Sequence, residues 1–415
     1  MKVALIATAD EALFKSRRTK YLHEIIDRPL IAYTIENARA FSQDIFVVAH
    51  PNQDLQTTVE ALGAKFLEEH HAASFFAQFN ELPLLVLQGD DFGLIKHLYP
   101  NYFSMPSLAD TIHRLIRLHL SSGAPATYLQ QDDPYGSAAF SVTLSGASVQ
   151  VPADHPYIVA AKHFAPLSQV IENLPAAEAY PISLATSNRI ITRADLSSAI
   201  SLVSSSNCTK LSNSGVTVHH GAIIGSNVSA GQDAVIYSGT EITGSTHIGA
   251  GTTIAYGTRL HNMTIGANCN IERSVLLDST VGDHTRIGPF AYVRPSSNIG
   301  SYCRIGDFVE VKNSTLGDNT NASHLAYIGD AIVGSRVNFG CGSITVNYDG
   351  NVKHLTTIED GAFVGSNCNL VAPVTIGKDS FVAAGTTVTK DVEPRALAIA
   401  RVKQESKPGW VSVRH

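Results

Sequence analysis

Aliphatic residues recur every six positions through the second half of the chain, and this spacing fits neither an α-helix nor an alternating β-strand. Val364 is followed by Gly365 and Ile376 by Gly377, so a glycine accompanies two of the aliphatic positions. One unbroken series comprises Ile358, Val364, Leu370, Ile376, Val382 and Val388. A period of six is typical of hexapeptide repeats, in which three short faces form each coil of a parallel β-helix and one aliphatic side chain per face points inward.

The same period begins at Val218 and changes phase twice before Val281, as expected where a loop leaves the corner of a coil. Its earlier members are Val218, Ile224, Ala230, Ile236, Ile242, Ile248, Ile254, Leu260, Ile265, Ile271, Val281, Ile287, Val293, Ile299, Ile305 and Val311. With about 18 residues to a coil, residues 218–392 form about ten coils. A longer interruption is predicted at 348–354, and loops that interrupt a solenoid commonly hold ligand contacts.

The residues before this pattern alternate between short apolar runs and helix-like stretches, which is typical of an α/β domain with a mostly parallel sheet. The apolar runs cover 3–7, 45–49 and 84–87, and 28–41 has the pattern of a helix. Thr192 and Asp195 then resemble the capping box of an amphipathic helix, which we expect to end in the run 204–207. The patterns predict an α/β domain over residues 1–190, a helical linker over 191–210 and a β-helix domain over 211–415.

Composition restricts the function classes without selecting one. Of the 415 residues, 44% are hydrophobic and 16% are charged, and the formal net charge is −6. This balance provides no basic patch for nucleic-acid binding, and no apolar run is long enough to span a bilayer. The five cysteines are widely spaced, so they form neither a disulfide framework nor a zinc ligand set. We expect a cytoplasmic protein without a secretory leader.

Polar residues that the six-residue pattern does not require are concentrated between Ile287 and Trp410. They include the segments Ser323-His-Leu-Ala-Tyr-Ile-Gly-Asp330 and Ile344-Thr-Val-Asn-Tyr-Asp-Gly350. With both segments in this order, the region resembles the C-terminal half of the bacterial bifunctional N-acetylglucosamine-1-phosphate uridyltransferase/glucosamine-1-phosphate acetyltransferase family. The resemblance implies a nucleotidyltransferase-like α/β domain with a Rossmann-type sheet, followed by a left-handed parallel β-helix of hexapeptide repeats. It also implies a homotrimer that acetylates the amine of glucosamine 1-phosphate with acetyl-CoA during cell-envelope precursor synthesis.

The resemblance assigns roles to residues that contact the sugar phosphate. His324 would be the general base, because an imidazole with an ordinary pKa near 6.5 is suited to taking a proton from the amine. Tyr327 and Asn338 would form hydrogen bonds to the sugar. Three cations would contact the phosphate, with arginine binding it through two nitrogens and lysine acting as a point charge. These are Arg294, Lys312 and Lys353.

The resemblance also places a set of residues against acetyl-CoA. Their small side chains leave room for the pantetheine arm along the coils, and Arg401 would contact a phosphate of CoA. Cys341 stands where alanine is common, and we interpret it as a small hydrophobe rather than a nucleophile. The complete set is Cys341, Asn347, Tyr348, Ser366, Ala384 and Arg401.

The N-terminal domain departs from the family at its nucleotide signature. Lys20, Leu22 and His23 match it, but Ala9 and Glu11 replace two glycines that let backbone amides approach a triphosphate. Leu13 replaces the signature arginine, and 68–73 lacks the Gly-Thr of the uridine-binding segment. We therefore expect little or no uridyltransferase activity. Asp90 and Asn188 resemble the Mg²⁺ ligands, which matter only if this domain is active.

Three alternatives stay open. The chain would make UDP-N-acetylglucosamine if the first domain were active, or act as a non-catalytic scaffold that binds sugar nucleotides. A zinc-dependent β-helix hydratase would need three converging histidines. The histidines available for that site are His219, His220, His247, His261 and His284.

Overall fold

The structure is a computed structural model that describes residues 1–8, 14–79, 83–88, 126–131, 137–141, 157–160, 179–183, 190 and 192–407. The chain divides into two compact units, Met1–Ser206 and Asn207–His415. The first has the α/β architecture and the second the left-handed parallel β-helix that the sequence predicts.

The first unit contains an eight-stranded sheet and three α-helices before its linking helix, as far as its described residues show. The sheet order is β10-β8-β7-β9-β6-β1-β4-β5; it is parallel from β6 to β5 and antiparallel from β6 to β10. The prediction of a mostly parallel sheet is therefore wrong for the described residues, where four of the seven pairings are antiparallel. The strands are β1 Lys2–Ala7, β2 Glu24–Ile25, β3 Arg28–Pro29, β4 Ile45–Ala49, β5 Lys65–Glu68, β6 Pro83–Gln88, β7 Ala126–Gln131, β8 Ser137–Ser141, β9 Tyr157–Ala160 and β10 Ala179–Ser183. The helices are α1 Leu30–Ala38, α2 Gln53–Ala61 and α3 Glu69–Ala77, with a 3₁₀ turn at Lys20–Leu22.

The predicted helix over 28–41 is shorter in the structure, because its first two residues form β3. Arg28 pairs with Ile25 and Pro29 with Glu24 in a small antiparallel ladder, so α1 starts only at Leu30. Pro29 occupies the N-cap position with φ −63°, a value that proline sets by its ring.

A long helix, α4, covers Arg193–Asn213. Its predicted capping box is confirmed: the Thr192 amide donates to Asp195 Oδ2 over 2.7 Å, and the Asp195 amide donates to Thr192 Oγ1 over 3.3 Å. The prediction that 204–207 ends the helix is wrong. Asn207 is buried and donates to the Ile224 carbonyl over 2.9 Å. Tertiary contacts therefore outweigh the weak helix preference of these polar residues.

The second unit consists of short strands that pair in parallel with the strand one coil later. Outside one insertion, residues facing each other in adjacent coils are 16 to 18 apart in sequence, as at Asn270 and Arg286, Asp307 and His324, or Thr280 and Asn298. In the described residues the strands are β11 Thr217–Val218, β12 Ile223–Ile224, β13 Ser229–Ala230, β14 Val235–Ile236, β15 Glu241–Thr243, β16 His247–Ile248, β17 Thr253–Ile254, β18 Arg259–Ile265, β19 Asn270–Ile271, β20 Val275–Val281, β21 Arg286–Ile287, β22 Tyr292–Val293, β23 Asn298–Ile299, β24 Arg304–Lys312, β25 Thr315–Leu316, β26 Asn321–Gly329, β27 Ala331–Val333, β28 Asn338–Phe339, β29 Ile344–Val346, β30 Thr356–Ile358, β31 Phe363–Val364, β32 Asn369–Val371, β33 Val374–Ile376, β34 Phe381–Val382, β35 Thr387–Val388 and β36 Leu397–Ala398.

The predicted six-residue series lines the interior of this unit. Ile236, Ile254 and Ile305 are fully buried, whereas Val218 and Ala230 near the first coil are only partly covered. Between Val311 and Ile358 the interior continues through positions that the sequence analysis did not assign. These are Leu316, Ala322, Ile328, Val333, Phe339 and Thr345.

The candidate site residues lie beside one corner of the coils. Phe308, Leu325 and Gly342 follow one another there in successive coils with positive φ values of 58°, 29° and 77°. Gly306 stands just before this corner, where an added Cβ would lie 1.8 Å from the Ser323 carbonyl oxygen. The absence of a side chain at Gly306 therefore lets β24 and β26 approach each other beside the corner.

Candidate functional site

His324 and Asp307 form a pair across adjacent coils. They face each other in the β24–β26 register, and His324 Nδ1 lies 2.9 Å from Asp307 Oδ1. The hydrogen bond to His324 lowers the pKa of the Asp307 carboxyl. An ionised carboxylate accepts only, so Nδ1 carries the shared proton and Nε2 is left as an acceptor. The His324 side chain is 60% exposed, so solutes reach the ring.

Arg294 lies on the next face of the same coils. Its Nη1 donates to Glu310 Oε1 over 2.9 Å, and this carboxylate raises the pKa of Arg294. Glu310 faces Tyr292 on one side and Tyr327 on the other in the strand register. Arg294, Glu310 and Tyr327 therefore share one face of the β-helix.

Asp330 is the centre of a buried polar cluster beside this face. It accepts from Lys312 Nζ over 3.0 Å, from Asn313 Nδ2 over 2.7 Å and from Asn347 Nδ2. Burial opposes ionisation of Asp330, but these hydrogen bonds outweigh it and lower the pKa. Asn347 Nδ2 also lies 3.4 Å from Tyr327 Oη. The cluster thus links the phosphate and sugar residues predicted from the sequence.

Lys353 approaches Lys312 from the predicted loop at 348–354. The Lys353 amine and Asp330 raise the pKa of Lys312, whereas Lys312 lowers the pKa of Lys353. Lys312 lies against the Asp330 carboxylate and keeps its proton; Lys353 is exposed and releases its proton more readily. An approaching dianion would favour the charged form of both amines.

The loop that presents Lys353 has its own hydrogen bonds. Asp349 Oδ1 accepts from the amides of Asn351 and Val352 over 2.8 Å each, and its Oδ2 lies 2.7 Å from His354 Nε2. The His354 ring, followed by the two amides, lowers the pKa of Asp349. The insertion separates paired residues by 25 positions instead of 16 to 18, which confirms the predicted interruption.

The residues assigned to acetyl-CoA lie at the same corner as His324, in coils nearer the end of the β-helix. Cys341, Ser366 and Ala384 are exposed at this corner in three successive coils. The Asn367 amide donates to the Cys341 carbonyl and the Gly385 amide to the Ser366 carbonyl, each over 2.8 Å. The side chains of Cys341, Ser366 and Ala384 together form a shelf of small side chains. Arg401 Nη1 donates to the Ala384 carbonyl at its far end, and Tyr348 is exposed on the loop.

Asn338 is not brought to Tyr327 within one chain. It pairs with Asn321 and Phe363, while Tyr327 pairs with Glu310 and Ile344 on the other side of the corner. Asp90 and Asn188 lie outside the described residues, so the Mg²⁺ site stays a prediction.

Sequence reasoning missed three acidic partners: Asp307, Glu310 and Asp330. The coil repeat is the signal that finds two of them, because Asp307 precedes His324 by 17 residues and Asp330 follows Lys312 by 18. Glu310 follows Arg294 by 16 residues, so the same coil repeat brings these two side chains together.

The histidines considered for a zinc hydratase lie apart from this site. His247 Nδ1 contacts Ser229 Oγ at 3.0 Å, and His261 Nδ1 contacts Thr243 Oγ1 at 2.9 Å. His219 stacks on Tyr237 and His284 stacks on Tyr302. Within the described residues, these histidines form no group of three metal-ligand atoms.

Two comparisons agree with the repeat architecture. The family model "Bacterial transferase hexapeptide (six repeats)" matches residues 278–313 and 355–390. Bifunctional protein GlmU of Geobacillus sp. (strain WCH70) is 53% identical over 206 residues, which are 49% of this chain and 45% of that protein. The C-terminal half of this chain is similar to part of GlmU. The GlmU of Clostridium beijerinckii is 50% identical over 188 residues, covering 45% of this chain and 41% of its own length.

The matched region is less than half as long as these GlmU proteins. Among solved structures, the UDP-N-acetylglucosamine acyltransferase of Francisella novicida aligns with a TM-score of 0.29 and 20% identity, covering 44% of this chain and 66% of its own. No helix in the described part of the chain has the length and apolar character needed to cross a membrane.

Proposed function

We propose that the chain transfers the acetyl group of acetyl-CoA to the amine of glucosamine 1-phosphate, giving N-acetylglucosamine 1-phosphate and CoA. The observation that supports this most directly is the hydrogen-bonded pair of His324 and Asp307 on a GlmU-like hexapeptide domain. The strand that carries Asp307 also carries Lys312, which interacts with Lys353. Imidazole, carboxylate and cations in this arrangement match an amine substrate that also carries a phosphate.

The reaction needs a base and no covalent enzyme intermediate. His324 Nε2 accepts a proton from the sugar amine as its nitrogen attacks the thioester carbonyl carbon. The carbon–sulfur bond then breaks, and the CoA thiolate takes a proton from the imidazolium or from water. Asp307 holds the ring in the tautomer that exposes Nε2 and stabilises the imidazolium.

The phosphate is placed by Arg294, Lys312 and Lys353. Two of these cations are paired with carboxylates, Arg294 with Glu310 and Lys312 with Asp330, so their positions are fixed before substrate arrives. The charge of Asp330 also acts on Lys353, but Lys312 has the larger effect and lowers the pKa of Lys353. Binding of a phosphate dianion relieves this repulsion.

Acetyl-CoA lies along the shelf of Cys341, Ser366 and Ala384 in this proposal, with Arg401 at its phosphate end. Small exposed side chains in consecutive coils leave an unobstructed path beside the corner of His324. The thioester then reaches the amine that Nε2 deprotonates. Cys341 contributes little bulk here and needs no chemical role.

A CoA-release assay with acetyl-CoA and glucosamine 1-phosphate tests the proposal. The native chain should release CoA in a sugar-phosphate-dependent manner, and His324→Ala should lower kcat by about 10²–10⁴-fold. Absence of turnover with the native chain, but binding of the sugar phosphate, would instead support a non-catalytic scaffold.

We further propose that the first unit makes little or no UDP-N-acetylglucosamine. The signature lysine Lys20 is buried and donates to the Ile190 carbonyl over 3.2 Å, which does not suit contact with a free triphosphate. Incubation with UTP, Mg²⁺ and N-acetylglucosamine 1-phosphate should release no pyrophosphate. Robust release would make the chain bifunctional and would make Asp90 and Asn188 the Mg²⁺ ligands to test by substitution.

A further inference from the structure

A second group of chemically active side chains lies in the first unit, at the carboxyl edge of its parallel strands. Glu68 ends β5, and His70 and His71 lie in the first turn of α3. One ligand atom from each of the three lies within 4.8 Å of the others. Among the residues that the structure describes, no other set of three His, Cys, Asp or Glu side chains meets this condition.

The strand register brings a further histidine to the edge where these residues lie. β4 and β5 are parallel neighbours in which Ala49 faces Glu68, so the chain leaves both strands side by side. His50 follows β4 directly, and its Nδ1 lies 3.1 Å from Glu69 Oε2. Ligand sites of open α/β sheets occur at this edge, beyond the carboxyl ends of the strands.

The donor atoms and their separations suit a small divalent ion. Glu68 Oε2 lies 3.4 Å from His70 Nε2 and 3.9 Å from His71 Nδ1. Ligands about 2.0–2.1 Å from a tetrahedral ion are about 3.3–3.4 Å from one another. Small side-chain rotations therefore complete the geometry, and the three side chains are 39–66% exposed and free to make them.

The chemistry selects a transition metal rather than Mg²⁺ or Ca²⁺. Imidazole nitrogens together with a carboxylate are ligands that Zn²⁺ prefers, whereas Mg²⁺ and Ca²⁺ prefer oxygen alone. The N-terminus of α3 by itself would repel a cation. The carboxylates of Glu68 and Glu69 offset that repulsion, since both lie at the start of the helix.

We propose that Glu68, His70 and His71 form a binding site for a divalent transition-metal ion of the Zn²⁺ type. Three protein ligands leave a fourth tetrahedral position for water or a small ligand. The site is separate from the acetyl-transfer residues, which belong to the second unit.

Zinc binding by the full-length chain tests this inference. Chelator-treated protein is titrated with Zn²⁺ in competition with a colorimetric chelator. We expect one tightly held Zn²⁺ per native chain. Loss of a residue that only contacts a metal ligand costs about 10–100-fold in metal affinity. Loss of the ligands themselves should cost more, so His70→Ala/His71→Ala should lower the affinity for Zn²⁺ by about 100-fold or more. Glu68→Gln should lower it by about tenfold or more.

The chain provides a matched control in His219 and His220, an exposed adjacent pair in the second unit. The double variant His219→Ala/His220→Ala should bind Zn²⁺ like the native chain. Zinc-edge X-ray absorption should show nitrogen and oxygen ligands at about 2.0–2.2 Å. Equal affinity in the His70/His71 variant and the native chain, with matching circular dichroism, would overturn the inference; so would a native chain that retains no Zn²⁺.

Discussion

The hydrogen bond between His324 Nδ1 and Asp307 gives the two ring nitrogens different roles, since the carboxylate accepts the Nδ1 proton and leaves Nε2 basic. Neither residue is unusual by itself, because both are exposed polar side chains on a solenoid surface. Their pairing across one coil makes them a catalytic candidate. We therefore treat Asp307 as a positioning residue for His324.

Asp307→Asn should lower kcat by part of the roughly 10²–10⁴-fold that a general base supplies, while KM for glucosamine 1-phosphate changes little. The amide no longer fixes the imidazole tautomer or stabilises its charged form. Steady-state CoA release measures both constants. Asp233→Asn, an exposed aspartate in an early coil, is the control and should match the native enzyme. A rise in KM alone would assign Asp307 to substrate binding instead.

Asp330 is a residue of structural importance because three donors converge on its buried carboxylate. Asp330→Asn should lower the free energy of unfolding by about 1–3 kcal/mol, since Lys312 loses its charged partner. Urea denaturation of the second unit measures the change. A loss below the usual effect of a surface substitution would show that solvent satisfies Lys312 equally well.

The pH dependence of this contribution follows from the lowered pKa of Asp330. The native state favours the ionised carboxylate, so the stabilisation is fully present above the ordinary aspartate value near 3.9 and is lost as pH falls through the native pKa. Urea midpoints recorded from neutral pH downward should therefore converge for the native chain and Asp330→Asn as pH falls through the lowered native pKa of Asp330. Midpoints that stay equally far apart in acid would contradict this assignment.

At the scale of elements, the interior of the β-helix was largely predictable, because one aliphatic residue per face must be buried in every coil. The prediction failed where a small or polar residue takes the inward position, as at Ala322 and Thr345. It also failed where the spacing between consecutive inward-pointing residues shortens from six to five. The end of α4 was missed for a different reason. Asn207 gains a buried tertiary hydrogen bond that no local propensity reveals.

Burial predicts the cost of core substitutions within a coil. Ile254 is fully buried, so Ile254→Ala should lower the free energy of unfolding by about 2–5 kcal/mol. Thr253→Ala, one residue away on the outer surface, should change it by less than about 0.5 kcal/mol. Urea unfolding followed by circular dichroism compares the two. Similar effects of both substitutions would contradict a packed interior at this coil.

The loop at 348–354 connects element structure to substrate binding, because the hydrogen bonds of Asp349 hold the turn that presents Lys353. Asp349→Ala should raise KM for glucosamine 1-phosphate by about tenfold, as one phosphate cation loses its fixed position, while kcat is nearly retained. Asp391→Ala is the control, because this carboxylate also accepts from a backbone amide, that of Thr375 over 2.7 Å, but lies in a later coil. An unchanged KM would remove Lys353 from the phosphate site.

At the scale of the whole molecule, the two units differ in how far sequence alone could describe them. The β-helix repeats one local rule, so its coil register follows from counting residues. The first unit has a mixed sheet whose antiparallel strands β7 to β10 pair over long separations, and no local periodicity encodes such pairings. The cluster of Glu68, His70 and His71 was missed for a different reason, since its side chains converge at the junction of β5 and α3, which the local pattern did not reveal.

One feature of the predicted site favours more than one chain. Arg294 and Tyr327 share a face of the β-helix, whereas Asn338 lies on another, so we expect a sugar phosphate that contacts all three to lie between neighbouring copies. In a homotrimer with such sites, mixed assembly of Arg294→Ala and Asn338→Ala chains should restore about a quarter of the sites to native composition.

Co-refolded equal mixtures of these two variants should therefore release CoA well above the mean of the separate proteins. Mixtures of Arg294→Ala with Tyr327→Phe provide the matched control. Both substitutions fall on the same face of the same chain, so no mixed site regains both native residues and activity should stay at the mean. Sedimentation velocity must show three chains per particle in every mixture. Recovery in the control mixture would mean that Arg294 and Tyr327 reach one site from different chains. Its absence in the first mixture would mean that the sugar phosphate contacts Arg294 and Asn338 of the same chain.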